Sequence, residues 1–396
     1  MQNRIFAAAG IMAVLAMLTM PGVSAPQKIE TRDGVRIVHN EKAGRWGTNP
    51  KIAIEPVRII GDADTDDENL AFNMPNDLAE DSRGNIYIAD SSNARIQKFT
   101  KDGTFVASLG RKGQGPGEFV SIRSLAVDAD DRLFAFDASQ RRLTILTTEG
   151  KEVRTIRFIK NPISGLRLMK DGLFLTGVPL SSGPREGVVS PTILFKVIDD
   201  QEAVRAEFGQ PVDFGEPVTN QVGNSTYSTV GTDGCPVVAF SYQNRVEKYG
   251  TDGGIVWSAD RPLNFDTKVI EKGKFERTAT SSVYKGPTMN RCSQGVAVDH
   301  AGRVWVVTYR RQIKLEEVIR ISMSGNQSGS TVKREGNTDL RTTDMFQLDV
   351  LDSEGVLLGS LPITQFIDGI WIYGDRLYLL DRDHGVAYHE YKIVER

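Results

Sequence analysis

The chain has 396 residues, of which 40% are hydrophobic and 25% charged, with a formal net charge of -3. It is long and apolar enough to bury a large core and too balanced in composition for a disordered chain. That charge gives no basis for nucleic-acid or anionic-membrane binding, and 38 glycines against 16 prolines suit a fold rich in tight turns.

Residues 1–25 read as a secretory signal peptide. Arg4 is followed by the apolar run IFAAAGIMAVLAMLTM, and Pro21-Gly22-Val23-Ser24-Ala25 ends in a small-x-small cleavage pattern. The alternative, an uncleaved anchor, needs about 20 apolar residues and a different exit flank. No cysteine lies near the junction for lipid attachment. Cleavage would leave a mature chain starting near Pro26, periplasmic or secreted, with no membrane span. Residues 26–50 form an N-terminal extension, and KIAIEPVRII at 51–60 reads as a strand.

From Phe72 the chain repeats itself. The run 72–103 recurs at 119–150, 47 positions on and without a gap, so that Leu78 maps to Leu125, Asp90 to Asp137 and Arg95 to Arg142. Each copy holds four alternating segments parted by turn signals; in the first these are MPNDLAED, NIYIAD, ARIQKFT and, after Asp102-Gly103, TFVASLG. A period near this length, filled with short strands, indicates an all-β propeller of four-stranded antiparallel blades. The first two blades lie near 72–118 and 119–160. A third, near 161–211, carries LRLMKDGLFLTG and TILFKVID, and a fourth, near 212–262, carries GCPVVAF and RVEKYG. The fifth, near 292–362, starts at GVAVDHAGRVWVVT. Asp299 lies 218 residues after Asp81 but Glu354 lies 252 after Asp102, so this blade holds 34 extra residues, an insertion at 309–344. The sixth, 363–396, runs out after three strands. An open blade leaves an unpaired edge, so strand 51–60 is expected to complete it and close a six-bladed ring.

DSRGNIYIADSSNARIQKFTKDGTFVASLGRKGQGPGEF resembles the NHL repeat, and the chain is similar to bacterial exported six-bladed propellers built from it. The resemblance is strong over 72–158 and weakens beyond. It implies a binding platform. Related six-bladed propellers include calcium-dependent lactonases and arylesterases, a zinc lyase and strictosidine-synthase-like enzymes, and the fold does not choose among these.

Two features locate a candidate site. Long connections at 176–191, 209–227, 261–291 and 309–344 all open on one face, where a rigid scaffold presents binding loops; for the Gly/Ser-rich SMSGNQSGS the expectation is mobile decoration. Two residues before each first-strand anchor stand Asn76, Arg123, Ser164, Thr226, Gln294 and Asp368, all polar. This ring at the channel mouth either lines a hydrated tunnel or holds a small polar ligand or a cation. Asn76, Asp77 and Asp368 are the candidate metal ligands, and their oxygens would suit calcium; otherwise no cofactor is expected. His384 beside Asp381 and Asp383 is either a general base or a solvated loop histidine. No nucleophile motif, zinc motif or phosphate loop is present. Cys235 and Cys292 fall at opposite ends of their strands, too far apart for a disulfide, and are expected to be free. The leading functional reading is a non-enzymatic monomeric binding protein of the cell envelope, presenting its long loops to a protein, peptide or glycan, with Tyr242, Tyr284 and Tyr309 either as contacts or as core packing at a loop base. The alternative is a calcium-dependent lactonase or esterase, or a lyase, at the channel mouth.

Overall fold

The computed structural model describes residues 27–179, 192–277, 282–326 and 329–396. The signal-peptide segment 1–25 and the middle of the 176–191 connection lie outside the described residues.

Six four-stranded antiparallel sheets make a closed six-bladed propeller. The first blade is Pro75–Glu80, Ile86–Asp90, Arg95–Phe99 and Phe105–Leu109. Ile122–Val127, Leu133–Asp137, Arg142–Leu146 and Glu152–Arg157 form the second. The third is Leu166–Leu168, Phe174–Gly177, Phe195–Ile198 and Val204–Phe208, and the fourth Thr226–Val230, Pro236–Phe240, Val246–Tyr249 and Ile255–Ala259. The fifth is Ser293–Val298, Val304–Tyr309, Phe346–Leu351 and Leu357–Pro362. Gly369–Tyr373, Arg376–Asp381 and Ala387–Glu395 make the sixth, whose outer strand is Ile52–Ile60, antiparallel to Ala387–Glu395 from Ile52 opposite Glu395 to Ile60 opposite Tyr388. The N-terminal strand thus closes the ring.

Aspartates explain why the repeat shows through the sequence. Asp81 accepts from the backbone N–H groups of Arg83 and Asn85, and Asp128 and Asp299 cap the equivalent turns of blades two and five in the same way, as Asp199 does at the third-to-fourth strand turn of blade three. These are Asx-type turns, in which a short carboxylate replaces a backbone acceptor. Asp90 and Asp137, at the far end of the second strands, receive the N–H groups of Asn73 and Val120 in the chain entering each blade. Such an aspartate ties the blade's entry to its middle.

Between blades the contact is apolar. Six buried clusters each join two neighbouring blades, and the last, with Ile60, Phe72, Leu78, Ile88, Tyr378 and Tyr388, seals blade six onto blade one. Across the same joint Arg376 donates to Glu390 of its own blade and to the carbonyl oxygens of Gly84 and Lys101 of blade one. No single sheet buries both faces alone, so the ring is the stable unit.

The N-terminal extension is structured. Lys28–Arg32 and Val35–His39 form a hairpin whose second strand pairs in parallel with Ile255–Ala259, widening blade four to six strands. The chain then crosses the outside of blade five. The Asn40 side chain bonds Gly355 O and Leu357 N, and Trp46 N donates to Leu358 O. A Cβ at Gly359 would meet the Trp46 ring at 2.5 Å, so glycine there makes room for the indole.

Candidate functional site at the channel mouth

The polar ring arises from backbone irregularity. In blade two the pairing register jumps between Ile122 and Ser124, leaving Arg123 as the extra residue of a bulge; Gln294 is the extra residue in blade five, and Asn76 and Asp77 lie in the jump of blade one. A bulge re-aims a side chain that regular pleating would fix to one face. Asn76, Arg123, Ser164, Thr226 and Asp368 all line one cavity of about 300 Å³ at the long-loop end of the channel. Gln294 stands behind it, donating to Asp368 Oδ1 at 3.4 Å and accepting from the Tyr309 hydroxyl at 2.7 Å.

The channel is divided. A second cavity of about 710 Å³ opens on the tight-turn face; Arg167 and Trp371 line both cavities, and Asp77, which bonds both of these side chains, lines the larger one. Asp77 Oδ1 accepts from Leu78 N (3.0 Å) and Trp371 Nε1 (2.6 Å); Oδ2 accepts from Leu125 N (3.0 Å) and Arg167 Nη1 (2.7 Å). Four N–H donors fill the lone-pair positions of this carboxylate. This corrects the expectation of Asp77 as a metal ligand: the residue is a partition tying blades one, two, three and six together across the axis.

The remaining candidate ligands do not fit calcium either. Asp368 accepts the backbone N–H of Arg382 at 2.9 Å and pairs with its guanidinium at 3.6 Å. Asn76 makes one long contact, 3.4 Å to Ile122 O. With Arg123, Arg167 and Arg382 around the cavity, a dication would meet three positive charges and two engaged carboxylates. Among the described residues no three His, Cys, Asp or Glu side chains come together as a metal site.

His384 is not the solvated loop histidine considered above. It is 6% exposed and stacks on Phe366 with ring centroids 3.6 Å apart. Neither ring nitrogen has a hydrogen-bond partner, and burial lowers its pKa. Beside it, burial and the charge on Asp368 push Asp381 up to about 7. Asp381 accepts from His384 N and Gly385 N, folding the loop that follows it as Asp137 does through Gln140 N. A base needs a path to substrate, and this pair is packed under the loop.

The long connections carry structure of their own. A helix Pro217–Gly223, capped by Glu216, lies in the third-to-fourth linker. A hairpin of Lys274–Arg277 and Ser282–Lys285 follows blade four, and another, Arg320–Asn326 with Gly329–Glu335, lies in the fifth-blade insertion. Of the Gly/Ser-rich segment, residues 322–326 and 329–330 are paired strand rather than loose decoration. Within the insertion Arg311 bonds both oxygens of Glu317, holding Glu317 down to about 2. On these linkers Leu315 is 83% exposed, Ile159 76%, Ile270 66% and Tyr284 51%. Tyr309, expected among the contacts, is instead buried at 3% in the second strand of blade five, and Tyr242 is half-buried. Cys235 and Cys292 are free.

Comparison with known proteins follows this geometry. Residues 55–173 match a family model described as 6-bladed beta-propeller. NHL repeat-containing protein 3 of Mus musculus is 27% identical over 128 residues, covering 31% of this chain and 37% of that protein; the Homo sapiens protein of the same name is 26% identical over 130 residues, 38% of its length. The match thus spans well under half of these curated relatives. Among solved structures, a member of the duf4221 family from Bacteroides vulgatus has a TM-score of 0.51 at 10% identity, covering 88% of this chain and 98% of that one, which shows a shared fold and nothing further. A gluconolactonase from Xanthomonas campestris reaches a TM-score of 0.47 at 12% identity, over 89% of this chain and 91% of that one, too low to support any inference about activity. No described helix is long and apolar enough to cross a membrane. With its repeats, its aspartate-capped turns and its closing strand, the chain is an NHL-repeat-like six-bladed β-propeller.

Proposed function

We propose that this protein is a non-catalytic binding protein of the cell envelope that presents its long-connection face to a protein or peptide partner. The observation that carries the reading is the set of exposed apolar side chains on that face, Leu315, Ile159, Ile270 and Tyr284, each more than half exposed and spread over three connections, with Ile270 and Tyr284 sharing the one at 261–291. Exposed apolar groups gathered on one surface mark interaction sites, and aromatic and aliphatic anchors dominate interface energies. A glycan partner is less well matched, because Tyr284 is the one well-exposed aromatic ring among these four. The apolar stretch and cleavage pattern of residues 5–25 support export. Occupied carboxylates at the channel mouth weigh against the calcium-dependent hydrolase.

A photo-crosslinking residue placed at Leu315 or Ile270 in cells tests this, with His300, on a tight turn of the opposite face, as control. Crosslinked partners are expected from the first two positions only, abolished by Ile313→Asp, a change to a 46% exposed side chain two residues before Leu315 in the same insertion. Equal yield from His300, or none from any position, overturns the reading. Fractionation with N-terminal sequencing checks export, with a mature start near Pro26 expected.

A further inference from the structure

At the channel mouth one positive charge is left over. Arg167 is paired with Asp77 at 2.7 Å and Arg382 with Asp368 at 3.6 Å. Arg123 is exposed to the cavity that it lines, and among the described residues no acceptor or carboxylate lies within bonding distance of its guanidinium. Protein packed around it, then the charges of Arg382 and Arg167, lower its affinity for its own proton, while Asp77 opposes them. A guanidinium in such surroundings is stabilised by an anion. Its planar fork of donors matches the two oxygens of a carboxylate or phosphate.

The rest of the cavity indicates what the anion belongs to. Its lining includes Ser164, Thr226 and Asn76 together with Arg123, and also Arg167 and Trp371, which Asp77 holds from behind. Thr226 makes no side-chain hydrogen bond, and Ser164 spends its hydroxyl proton on Gly177 O, which leaves its oxygen free to accept. At about 300 Å³ the space is at the small end of ligand pockets. We infer that this cavity binds a small polar solute through a single oxyanion, a carboxylate or a phosphate, held by Arg123. The inference does not depend on the partner proposed for the loop face. It also reverses the sign of the ligand that the ring of polar residues suggests from sequence, because the ring's carboxylate is already engaged and its arginine is not.

Isothermal titration of the mature protein tests it with four probes: D-glucuronate, D-glucose 6-phosphate, neutral D-glucose and calcium chloride. One or both anions are expected to bind at least about tenfold more tightly than glucose, the size of a charge-assisted hydrogen bond. The two anions separate the carboxylate from the phosphate source. Arg123→Gln should lose that preference and Arg123→Lys keep part of it. Both variants should melt with the wild type, since Arg123 bonds to nothing in the folded chain. Failure of both anions to bind at millimolar concentration, glucose binding as tightly as either, or an unchanged preference in Arg123→Gln overturns the inference. So does calcium binding that Asp368→Asn abolishes.

Discussion

Ring closure makes a quantitative demand on two adjacent residues of one strand. Ile60 is 2% exposed and packs with Phe72, Leu78 and Tyr388 in the cluster between blades six and one, whereas its neighbour Ile59 is 62% exposed. Ile60→Ala removes three buried carbons from a joint that cannot collapse without moving a blade, so the cost should lie at about 2–5 kcal/mol. Ile59→Ala removes the same carbons from solvent and should cost less than about 0.5 kcal/mol. At the other end of the strand Ile52 is 1% exposed in the cluster between blades five and six. Eight residues at about 3.3 Å separate the two, so Ile52→Ala and Ile60→Ala should add within about 0.5 kcal/mol. Unfolding entropy of about 2 cal/mol/K per residue, summed over a chain of this length, turns a loss of 3 kcal/mol into about 4 °C of melting temperature. Urea titration followed by tryptophan fluorescence measures this, because Trp257 and Trp305 are fully buried. Equal losses from Ile59→Ala and Ile60→Ala would refute the claim that this strand closes the ring by burying its inner face.

Asp381 predicts a pH effect. Its folded pKa is pushed up to about 7 from an unfolded value near 4, so the folded state binds the extra proton and stability falls as pH rises through that window. His384 and His389 are held below their ordinary value and oppose this only below about pH 6.5, the unfolded histidine value. Melting temperature should therefore drop from pH 6.5 to 8, and Asp381→Asn should flatten the drop; an unchanged slope counts against the assignment. Asp77→Ala strands the Arg167 guanidinium and three further N–H donors and should cost about 3–5 kcal/mol in urea unfolding, with a near-neutral result refuting the partition. The Cys292 thiol is fully buried and its pKa raised to about 11, so Ellman's reagent should titrate at most Cys235 in the native protein and both thiols in denaturant. Two rapidly reacting native thiols would show that blade five is open at its entrance.

How much was legible follows from what each residue has to do. Asp81, Asp90 and their copies recur because each caps a turn or ties a blade entry with backbone hydrogen bonds, and a local geometric duty leaves a local sequence mark. The pairing of blade six with the N-terminal strand was legible for a related reason, since an unpaired edge has to be covered. The hairpin of residues 28–39 was not, because five-residue strands with no repeat partner look like any polar extension, and its place on blade four is a parallel pairing over more than two hundred residues of sequence. At the channel mouth, repeat position named the residues but not their state. Asp77 and Asp368 looked equally available as ligands; what distinguishes them from Arg123 is who else reaches the axis, Arg167 and Trp371 reaching Asp77 from other blades and Arg382 reaching Asp368 from a later loop of its own. A propeller axis is where six separate segments meet, so the charge left unpaired there is set by all of them together and is written in none of them singly.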